Sequence, residues 1–319
     1  MSALTSLLIK IFLFIFSIYC SVNGTPAMPS TADPIKPADN SSKLTFAALA
    51  DPQVSNYMMD RYVYFEQASA DLKASQGLDA VLLAGDIAEN GLDMEYQLVL
   101  EHIGGMDVRY IACVGNHDIR LRNYNSTCKR FNGFVNALNN DTDADCLHHS
   151  ELINGIKFII LGSDRTEFEE SYLGEEQLKW LDDELAAQNG SLTFVVVHQP
   201  LKLTHGLPQV WNSPIDSAGS IGNQSDDLKA ILNKYDNIIL LTGHEHTGFG
   251  PYTYEKIGNF DSVNLPSMCC TNADGDYNEY GQGYIVEVYE DSVLFRARDM
   301  IKGEWLPQYD IRISYGTDK

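Results

Sequence analysis

Residues 79–90, DAVLLAGDIAEN, contain a short apolar run that ends abruptly in polar side chains. The same pattern recurs at five other places: LTFAALADPQ (44–53), VRYIACVGNHD (108–118), KFIILGSDR (157–165), LTFVVVHQP (192–200) and NIILLTGHEH (237–246). Apolar runs of this length, several of them rich in β-branched residues, predict strands that are buried on both faces.

Helical patterns lie between these strands. Tyr62, Phe65 and Leu72 recur at helical spacing before Gly77, and a similar apolar stripe covers residues 178–185. Strands that alternate with helices predict an α/β fold with parallel strand pairing. After residue 246, the segments GYIVEVYEDSVLFRARD and QYDIRISY predict antiparallel strands, which we expect to complete a second sheet.

Composition and charge exclude several classes of protein. The 319 residues are 44% hydrophobic and 21% charged, which is enough to bury a core and excludes a mainly disordered chain. Lys and Arg total 22 against 44 Asp and Glu, a formal charge of −22. This charge repels nucleic acid and anionic membrane surfaces, so neither is an expected partner.

The amino-terminal segment predicts a secretory route. Residues 1–24 hold one charge, Lys10, before an apolar run that is too short for a comfortable membrane span. We interpret them as a signal peptide cleaved near Gly24 rather than an uncleaved anchor, which places a mature form without a membrane segment in the secretory lumen or outside the cell. Residues 25–43 form an extended, proline-rich leader with little to bury, and residues 44–319 form the folded domain. Glycosylation sequons fit this route and begin at Asn40, Asn125, Asn140, Asn189 and Asn223.

The cysteines give a weaker indication. Cys128 and Cys146 flank a polar insertion and could close a disulfide in an oxidising compartment. Cys113 lies in an apolar run and is interpreted as a small buried hydrophobe. Cys269 and Cys270 stay unassigned, and the spacing of the cysteines does not suggest a zinc site.

Side chains suited to metal binding follow five of the six predicted strands. In open α/β sheets, ligands bind beyond the carboxyl ends of the strands, so we expect these side chains to meet there. Four of the eight histidines occupy such positions, a clustering that marks a functional site. The candidates are Asp51, Gln53, Asp86, Asn116, His117, His198, His244 and His246.

The blocks that carry these residues resemble the calcineurin-like metallophosphoesterase superfamily. They are Asp51-Pro52-Gln53, Gly85-Asp86 with Glu89, Gly115-Asn116-His117-Asp118, His198, and Gly243-His244-Glu245-His246, and they occur in the family's order. The resemblance implies a four-layer αββα sandwich, in which two mixed β-sheets are flanked by helices.

The resemblance also implies a two-metal site. Asp51, Gln53, Asp86 and His246 would hold one ion, and Asp86, Asn116, His198 and His244 the other, with Asp86 bridging. A metal-bound hydroxide would attack the phosphorus of a phosphate ester or pyrophosphate bond. His117 would protonate the leaving oxygen as the catalytic acid. Glu89 and Asp118 would support the site from behind, although a solvated Glu89 is an equally good interpretation.

Gln53 departs from the family's usual Asp-x-His block. An amide oxygen in place of an imidazole favours a hard ion, so Mn²⁺ is the preferred cofactor, with Mg²⁺, Zn²⁺ and Fe as alternatives. The Asp-x-Gln variant is similar to a branch that contains manganese-dependent nucleotide-diphosphate hydrolases and a serine/threonine phosphatase.

The expected function is therefore a secreted, metal-dependent phosphoric ester hydrolase acting on a small phosphorylated substrate. The alternatives are a catalytically weak binding scaffold with the same fold and a nuclease-like phosphodiesterase. Arg120, Arg122 and Arg165 are candidates for contacting a substrate phosphate, and the sequence does not choose among them. The substrate and the oligomeric state are left open.

Overall fold

The computed structural model describes residues 33–39, 41–120, 122–142, 145, 147–268 and 274–316. The predicted signal peptide, Cys146 and the Cys269–Cys270 pair lie outside these residues, so secretion and the Cys128–Cys146 disulfide stay predictions. In the part of the chain that is described, no helix combines the length and the apolar character needed to cross a membrane.

All six predicted strands are present. In chain order the described strands are β1 (Leu44–Leu49), β2 (Ala80–Ala84), β3 (Arg109–Cys113), β4 (His149–Ile153), β5 (Ile156–Ile160), β6 (Thr193–Val196), β7 (Ile238–Thr242), β8 (Tyr254–Ile257), β9 (Phe260–Asn264), β10 (Gln282–Val288), β11 (Ser292–Asp299), β12 (Glu304–Trp305) and β13 (Ile311–Ser314). The helices are α1 (Met59–Lys73), α2 (Asp93–Ile103), α3 (Asn116–Ile119), α4 (Tyr124–Asn139), α5 (Glu175–Ala186) and α6 (Ser225–Leu232).

The strands form two mixed sheets. The first has the order β12-β11-β10-β1-β2-β3, with β13 also paired to β11, and the second has the order β4-β5-β6-β7-β9-β8. Strands β1, β2 and β3 run parallel to one another, as do β5, β6 and β7. Each parallel set therefore presents its carboxyl ends at one edge of its sheet.

Three apolar cores separate four layers. The central core joins the inner faces of the sheets, where the Phe46 ring meets Phe158 and Phe194 edge-on, each at 5.3 Å between centroids. A second core lies between the first sheet and helices α1, α2 and α4. The third lies between the second sheet and helices α5 and α6. This arrangement confirms the αββα sandwich.

The carboxyl-terminal strands differ from the prediction in one respect. Strands β10 and β11 are antiparallel partners, as expected, but they do not complete the second sheet. β10 pairs antiparallel with β1, from Leu44 opposite Val288 to Ala48 opposite Tyr284, and so extends the first sheet. The reason is that β10 is apolar on both faces: Ile285 faces the helix-side core, whereas Val286 faces the core between the sheets. Such a strand needs a position in which both faces are covered.

The leader also differs from expectation. Residues 33–39 contain no helix or strand, but Ile35 is fully buried in the core beneath helix α1. Arg298 donates to the Asp33 carbonyl at 2.8 Å, and Arg296 donates to the Lys36 carbonyl at 2.9 Å. The interpretation that the leader has little to bury is therefore wrong at Ile35.

Candidate metal centre

The carboxyl ends of the parallel strands from both sheets bring the candidate ligands together. Asp51 follows β1, Asp86 follows β2, Asn116 follows β3, His198 follows β6 and His244 follows β7. Each of these five residues is 0–3% exposed. The cluster therefore lies at the junction of the two sheets, where the strand-end rule placed it.

Two groups of acidic and imidazole donors have a geometry that suits metal ions. Asp86, His198 and His244 form one group, and Asp51, Asp86 and His246 form the other. Within each group the donor atoms lie within 4.8 Å of one another. Asp86 belongs to both groups, which is the arrangement that a bridging carboxylate requires.

Imidazole nitrogens in this cluster fit a cation. His244 Nδ1 and Nε2 are buried and form no hydrogen bond within the described residues. His198 Nδ1 interacts with the Ala84 carbonyl at 2.8 Å, which turns Nε2 toward Asp86 and Asp51 at 3.2 and 3.7 Å. A buried polar atom without a partner costs about 1–3 kcal/mol, so these nitrogens fit metal ions that accept their lone pairs.

The pKa shifts within the cluster also favour cation binding. Burial alone would raise the pKa of Asp86, but the neighbouring His198 and His117 hold it well below its usual range. Burial, and then the charge of His198, keep the pKa of His244 well below its ordinary value. Burial also opposes protonation of His198, but Asp86 raises its pKa to about 9. Asp86 is therefore an anion and His244 is neutral, the forms in which these side chains bind cations, and a cation would take the place of the His198 proton.

The backbone is strained where it presents these side chains. Five candidate ligands have φ between 39° and 73°, a region that non-glycine residues rarely occupy. They are Asp51, Gln53, Asp86, His244 and His246. Strain of this kind costs about 1–3 kcal/mol for each residue and clusters at functional sites.

Gly115 allows β2 and β3 to approach each other closely at the site. Its φ of −103° is open to any residue, so the constraint is steric. A Cβ atom there would lie 2.1 Å from Asp86 Oδ1 and 2.2 Å from the Asp86 backbone nitrogen. The glycine therefore leaves room for the carboxylate that both donor groups share.

We expect Gly115→Ala to lower the free energy of unfolding by about 1–3 kcal/mol, the usual cost of overpacking a tight site, and to weaken metal binding by displacing Asp86. Denaturant unfolding of chelated protein measures the first effect. Gly133→Ala in helix α4 is the matched control, because a Cβ there meets nothing within 4 Å. Equal stabilities for wild type and Gly115→Ala would contradict the steric argument.

Asn116 is held by its amide group. Its Nδ2 donates to Glu169 Oε2 at 3.0 Å and to the Phe168 carbonyl at 3.1 Å. Gln199 Nε2 lies 3.4 Å from Asn116 Oδ1. The contacts to residues 168 and 169 fix which end of the amide is the nitrogen, and they leave the oxygen as the atom that can ligate.

Gln53 also lies in the cluster, but its amide nitrogen, rather than its oxygen, faces the other candidate ligands. Its Oε1 accepts a hydrogen bond from Arg61 Nη1 at 2.8 Å, whereas its Nε2 lies 3.3 Å from Asp86 Oδ2 and 3.2 Å from His246 Nε2. An amide nitrogen is a donor and offers no lone pair to a cation. Ligation through oxygen therefore requires the amide to rotate and to give up the Arg61 contact.

His117 lies beside the ligands and lines the cavity above them. Its Nε2 is 3.9 Å from Asp86 Oδ2, and its backbone nitrogen donates to Asp86 Oδ1 at 2.8 Å. Its Nδ1 lies 2.9 Å from both the Glu89 carbonyl and Arg120 Nη2. Arg120 can donate to Nδ1 in the neutral tautomer, and the Glu89 carbonyl can accept from Nδ1 in the protonated ring. The contact with Arg120 favours the tautomer in which Nε2 carries the proton, whereas a neutral ring that donates from Nδ1 to the Glu89 carbonyl leaves Nε2 without one.

Glu89 and Asp118 stabilise these residues through ion pairs and hydrogen bonds. The Glu89 carboxylate pairs with Arg61 and lies 3.5 Å from His117 Nδ1, with its side chain only 12% exposed, so the solvated interpretation does not hold. Asp118 accepts hydrogen bonds from the Gly115 and Ala88 nitrogens at 2.9 and 3.0 Å. Burial, and then the charge of Asp86, raise the pKa of Asp118 to about 7.

The cavity above the cluster has a volume of about 300 Å³. Four of its lining residues are marked by no sequence motif: the acidic Glu169, the polar Asn212, and Val210 and Trp211, which form an apolar wall. They come from the loops at 161–174 and 197–224, which show no periodic pattern or motif. The lining residues are Asp86, His117, Glu169, Val210, Trp211, Asn212, His244, Glu245 and His246.

The structure separates the three candidate arginines. Arg120 lies next to the cavity, where it contacts His117 and pairs with Glu169 Oε1 at 3.2 Å. Arg122 is exposed and donates to the Asn90 carbonyl. Arg165 pairs with Glu167 and covers the Tyr172 ring. Of the three, only Arg120 contacts residues that line the cavity.

Comparison with known proteins gives a family match. The model of the calcineurin-like phosphoesterase family matches residues 44–248. The chain is 29% identical over 172 residues to a probable glycerophosphodiester phosphodiesterase of Arcobacter nitrofigilis, covering 53% of this chain and 56% of that protein. It is 25% identical over 171 residues to a probable cyclic nucleotide phosphodiesterase of Synechococcus, covering 54% of this chain and 59% of that protein. The chain thus spans a little over half the length of these relatives.

Among solved structures, vacuolar protein sorting 29 of Cryptosporidium parvum superposes with a TM-score of 0.40 and 14% identity, covering 85% of this chain and 98% of that one. The family match covers well over half of the chain and contains every candidate ligand. The chain therefore belongs to the calcineurin-like phosphoesterase family.

Proposed function

We propose that this protein is a two-metal phosphodiesterase that hydrolyses small phosphodiesters with uncharged substituents. The observation that carries the diester preference is the charge of the cavity. Its described lining contains no lysine or arginine, and its acidic side chains are those of Asp86, Glu169 and Glu245. Burial raises the pKa of Glu245 well above its usual range, so Glu169 is the carboxylate that adds negative charge beside the shared ligand Asp86. A phosphodiester carries one negative charge, which bound cations balance. A pyrophosphate or a monoester brings additional negative charge toward Glu169, and Arg120, which pairs with Glu169 at 3.2 Å, is not part of this lining.

The relatives support the same choice, since both are named as phosphodiesterases. Each match covers little more than half of the relative, so the names of the relatives do not by themselves identify the substrate of this chain. Of the bonds considered from the sequence, the diester fits this lining better than the monoester or the pyrophosphate. The net charge of −22 also disfavours a nuclease.

In this proposal, Asp51, Gln53, Asp86 and His246 would hold one ion, with the Gln53 amide rotated away from Arg61 so that its oxygen can ligate. Asp86, Asn116, His198 and His244 would hold the other. When bound, two divalent cations supply an activated water and stabilise the charge that develops on the transferred phosphoryl group. Mn²⁺ is the proposed metal, because carboxylate and amide oxygens suit a hard ion.

The protein's own groups supply the remaining steps. In the tautomer in which Arg120 donates to Nδ1, His117 carries a proton on Nε2 at the cavity wall and donates it to the leaving oxygen. The contact between Glu169 and the Asn116 amide keeps the Asn116 oxygen available for ligation. Val210 and Trp211 form an apolar wall that excludes water from one side of the cavity.

A substrate panel tests the proposal. Chelated protein is reloaded with Mn²⁺, Mg²⁺ or Zn²⁺ and assayed with bis(p-nitrophenyl) phosphate, p-nitrophenyl phosphate and ADP-ribose. We expect kcat/KM for the diester to exceed the other two by about 10-fold or more, which corresponds to about 1.4 kcal/mol of charge discrimination. Mn²⁺ should give the highest activity.

The Glu169→Gln variant is the matched test of the charge argument, because it keeps an oxygen for Arg120 and removes the negative charge. The preference for the diester should narrow in this variant. In the wild type, a kcat/KM for the monoester or ADP-ribose that exceeds the value for the diester would contradict the diester assignment. Wild-type protein that hydrolyses none of the three substrates with any of the metals would favour a binding scaffold.

A further inference from the structure

His198 and His244, the two buried histidines of the donor group with Asp86, are held in different ways. The His198 ring is fixed through Nδ1 and the Ala84 carbonyl, 2.8 Å apart. The His244 backbone nitrogen donates to the Asp51 carboxylate at 3.0 Å, but neither ring nitrogen of His244 has a hydrogen-bond partner in the described structure. Metal-ligating histidines almost always use the second ring nitrogen to bond a carboxylate, a carbonyl or water. The orientation of the His244 ring therefore needs another cause.

That cause is aromatic packing. The Trp211 indole lies against the His244 ring with 4.9 Å between centroids and 35° between planes. His198 meets the same ring at 5.1 Å and 74°. The imidazole is thus confined by a tryptophan and by the other histidine of its metal group. Aromatic pairs of this kind contribute about 0.5–1.5 kcal/mol beyond the area they bury.

Trp211 is itself held by its loop. It ends the short 3₁₀ segment Gln209–Trp211, where its backbone nitrogen donates to the Pro208 carbonyl at 3.1 Å. Gly219 packs directly against the indole, since a Cβ there would lie 2.9 Å from two of its ring atoms. Because Gly219 also has a φ of 74°, the loop returns over the indole at a position suited to glycine.

We infer that Trp211 is a positioning residue that orients His244 for metal binding, in place of the usual hydrogen-bond acceptor. A cation on His244 draws electron density from the imidazole and makes the ring more positive, and the face of an indole attracts positive charge. The contact therefore strengthens when an ion binds. Trp211 also lines the substrate cavity, so one side chain forms a cavity wall and supports a metal ligand. This inference rests on the metal site of the proposed function.

The test measures Mn²⁺ affinity by calorimetric titration of chelated protein, independently of activity. Trp211→Ala should weaken binding of one of the two ions by about 10-fold, at the lower end of the range for removing a partner of a metal-ligating histidine. Trp211→Phe keeps an aromatic face and should restore most of the affinity. Trp180→Ala is the matched control. The Trp180 indole, on helix α5, packs against His148 and does not line the cavity, so its loss should leave Mn²⁺ affinity unchanged.

A second measurement does not depend on the alanine variant folding. The chain has three tryptophans, so Trp211 is the sole indole in the Trp180→Phe/Trp305→Phe protein. The fluorescence of Trp211 should change on Mn²⁺ addition, and the midpoint of this change should match the midpoint of the calorimetric titration.

The outcomes separate the two proposals. Wild-type protein that binds no Mn²⁺ overturns the metal site and the Trp211 role together. Wild-type protein that binds two ions, beside a folded Trp211→Ala variant of equal affinity or a silent Trp211 signal, overturns only the role of Trp211. Weaker binding that Trp211→Phe fails to restore also contradicts positioning by an aromatic face.

Discussion

Asp86→Asn is expected to abolish tight binding of both metal ions and to lower turnover by at least about 10³-fold, the upper end of the usual loss when one preorganised electrostatic contact is removed. Asp86 belongs to both donor groups, so its carboxylate is the negative charge that the two ions share, whereas Asp51 serves only one of them. The amide that replaces it keeps the shape and can still accept the hydrogen bond from the His117 backbone nitrogen. The loss therefore comes from charge and ligand type rather than from packing.

Two measurements check this expectation. Metal analysis after dialysis against Mn²⁺ should find two ions for each wild-type chain and most of them missing from the variant. The rise in Tm that Mn²⁺ gives to the wild type should disappear, because a ligand stabilises a protein only to the extent that it binds the folded state. Asp261→Asn is the matched control: Asp261 is 6% exposed and lies at the opposite end of β9 from the site. Two retained ions with near-normal turnover would show that Asp86 does not bridge.

The ligand cluster could be predicted from the sequence because its signals are local. An apolar run that ends abruptly in a polar side chain marks the end of a buried strand, and parallel strands bring such ends to one edge. Asp51, Asp86, His198 and His244 all follow this rule, although up to 193 residues separate members that touch. The motif supplied the order of the blocks, and the strand pattern supplied their meeting place.

The surroundings of the cluster could not be predicted in the same way. Glu169 reaches Asn116, and Trp211 reaches His244, from loops whose path depends on close packing rather than on a repeating pattern. Arg61, in helix α1, turns the Gln53 oxygen away from the other ligands. Such contacts depend on side-chain directions that no spacing rule encodes. The position of β10 beside β1 was missed for a related reason, since pattern gives a strand's faces but not its neighbour.

His117→Asn is expected to keep both metal ions and to lower turnover by about 10²- to 10⁴-fold, the usual contribution of a positioned acid. The neighbouring ligand Asn116 is untouched, and the backbone bond from residue 117 to Asp86 survives the change. Metal content and Mn²⁺ affinity should therefore match the wild type. His148→Asn, which alters an exposed histidine outside the cavity lining, is the matched control and should leave turnover unchanged.

The dependence on the leaving group distinguishes acid catalysis by His117 from general damage to the site. An aryl oxygen leaves readily without a proton, whereas an alkyl oxygen needs one. The rate loss in His117→Asn should therefore be largest for an alkyl phosphodiester and should shrink for bis(p-nitrophenyl) phosphate. Equal losses for both substrates would mean that His117 only shapes the cavity, and loss of metal together with activity would make it a structural residue or a ligand. Because Nδ1 is held by the Glu89 carbonyl and by Arg120, the imidazole already has the orientation that proton donation from Nε2 requires.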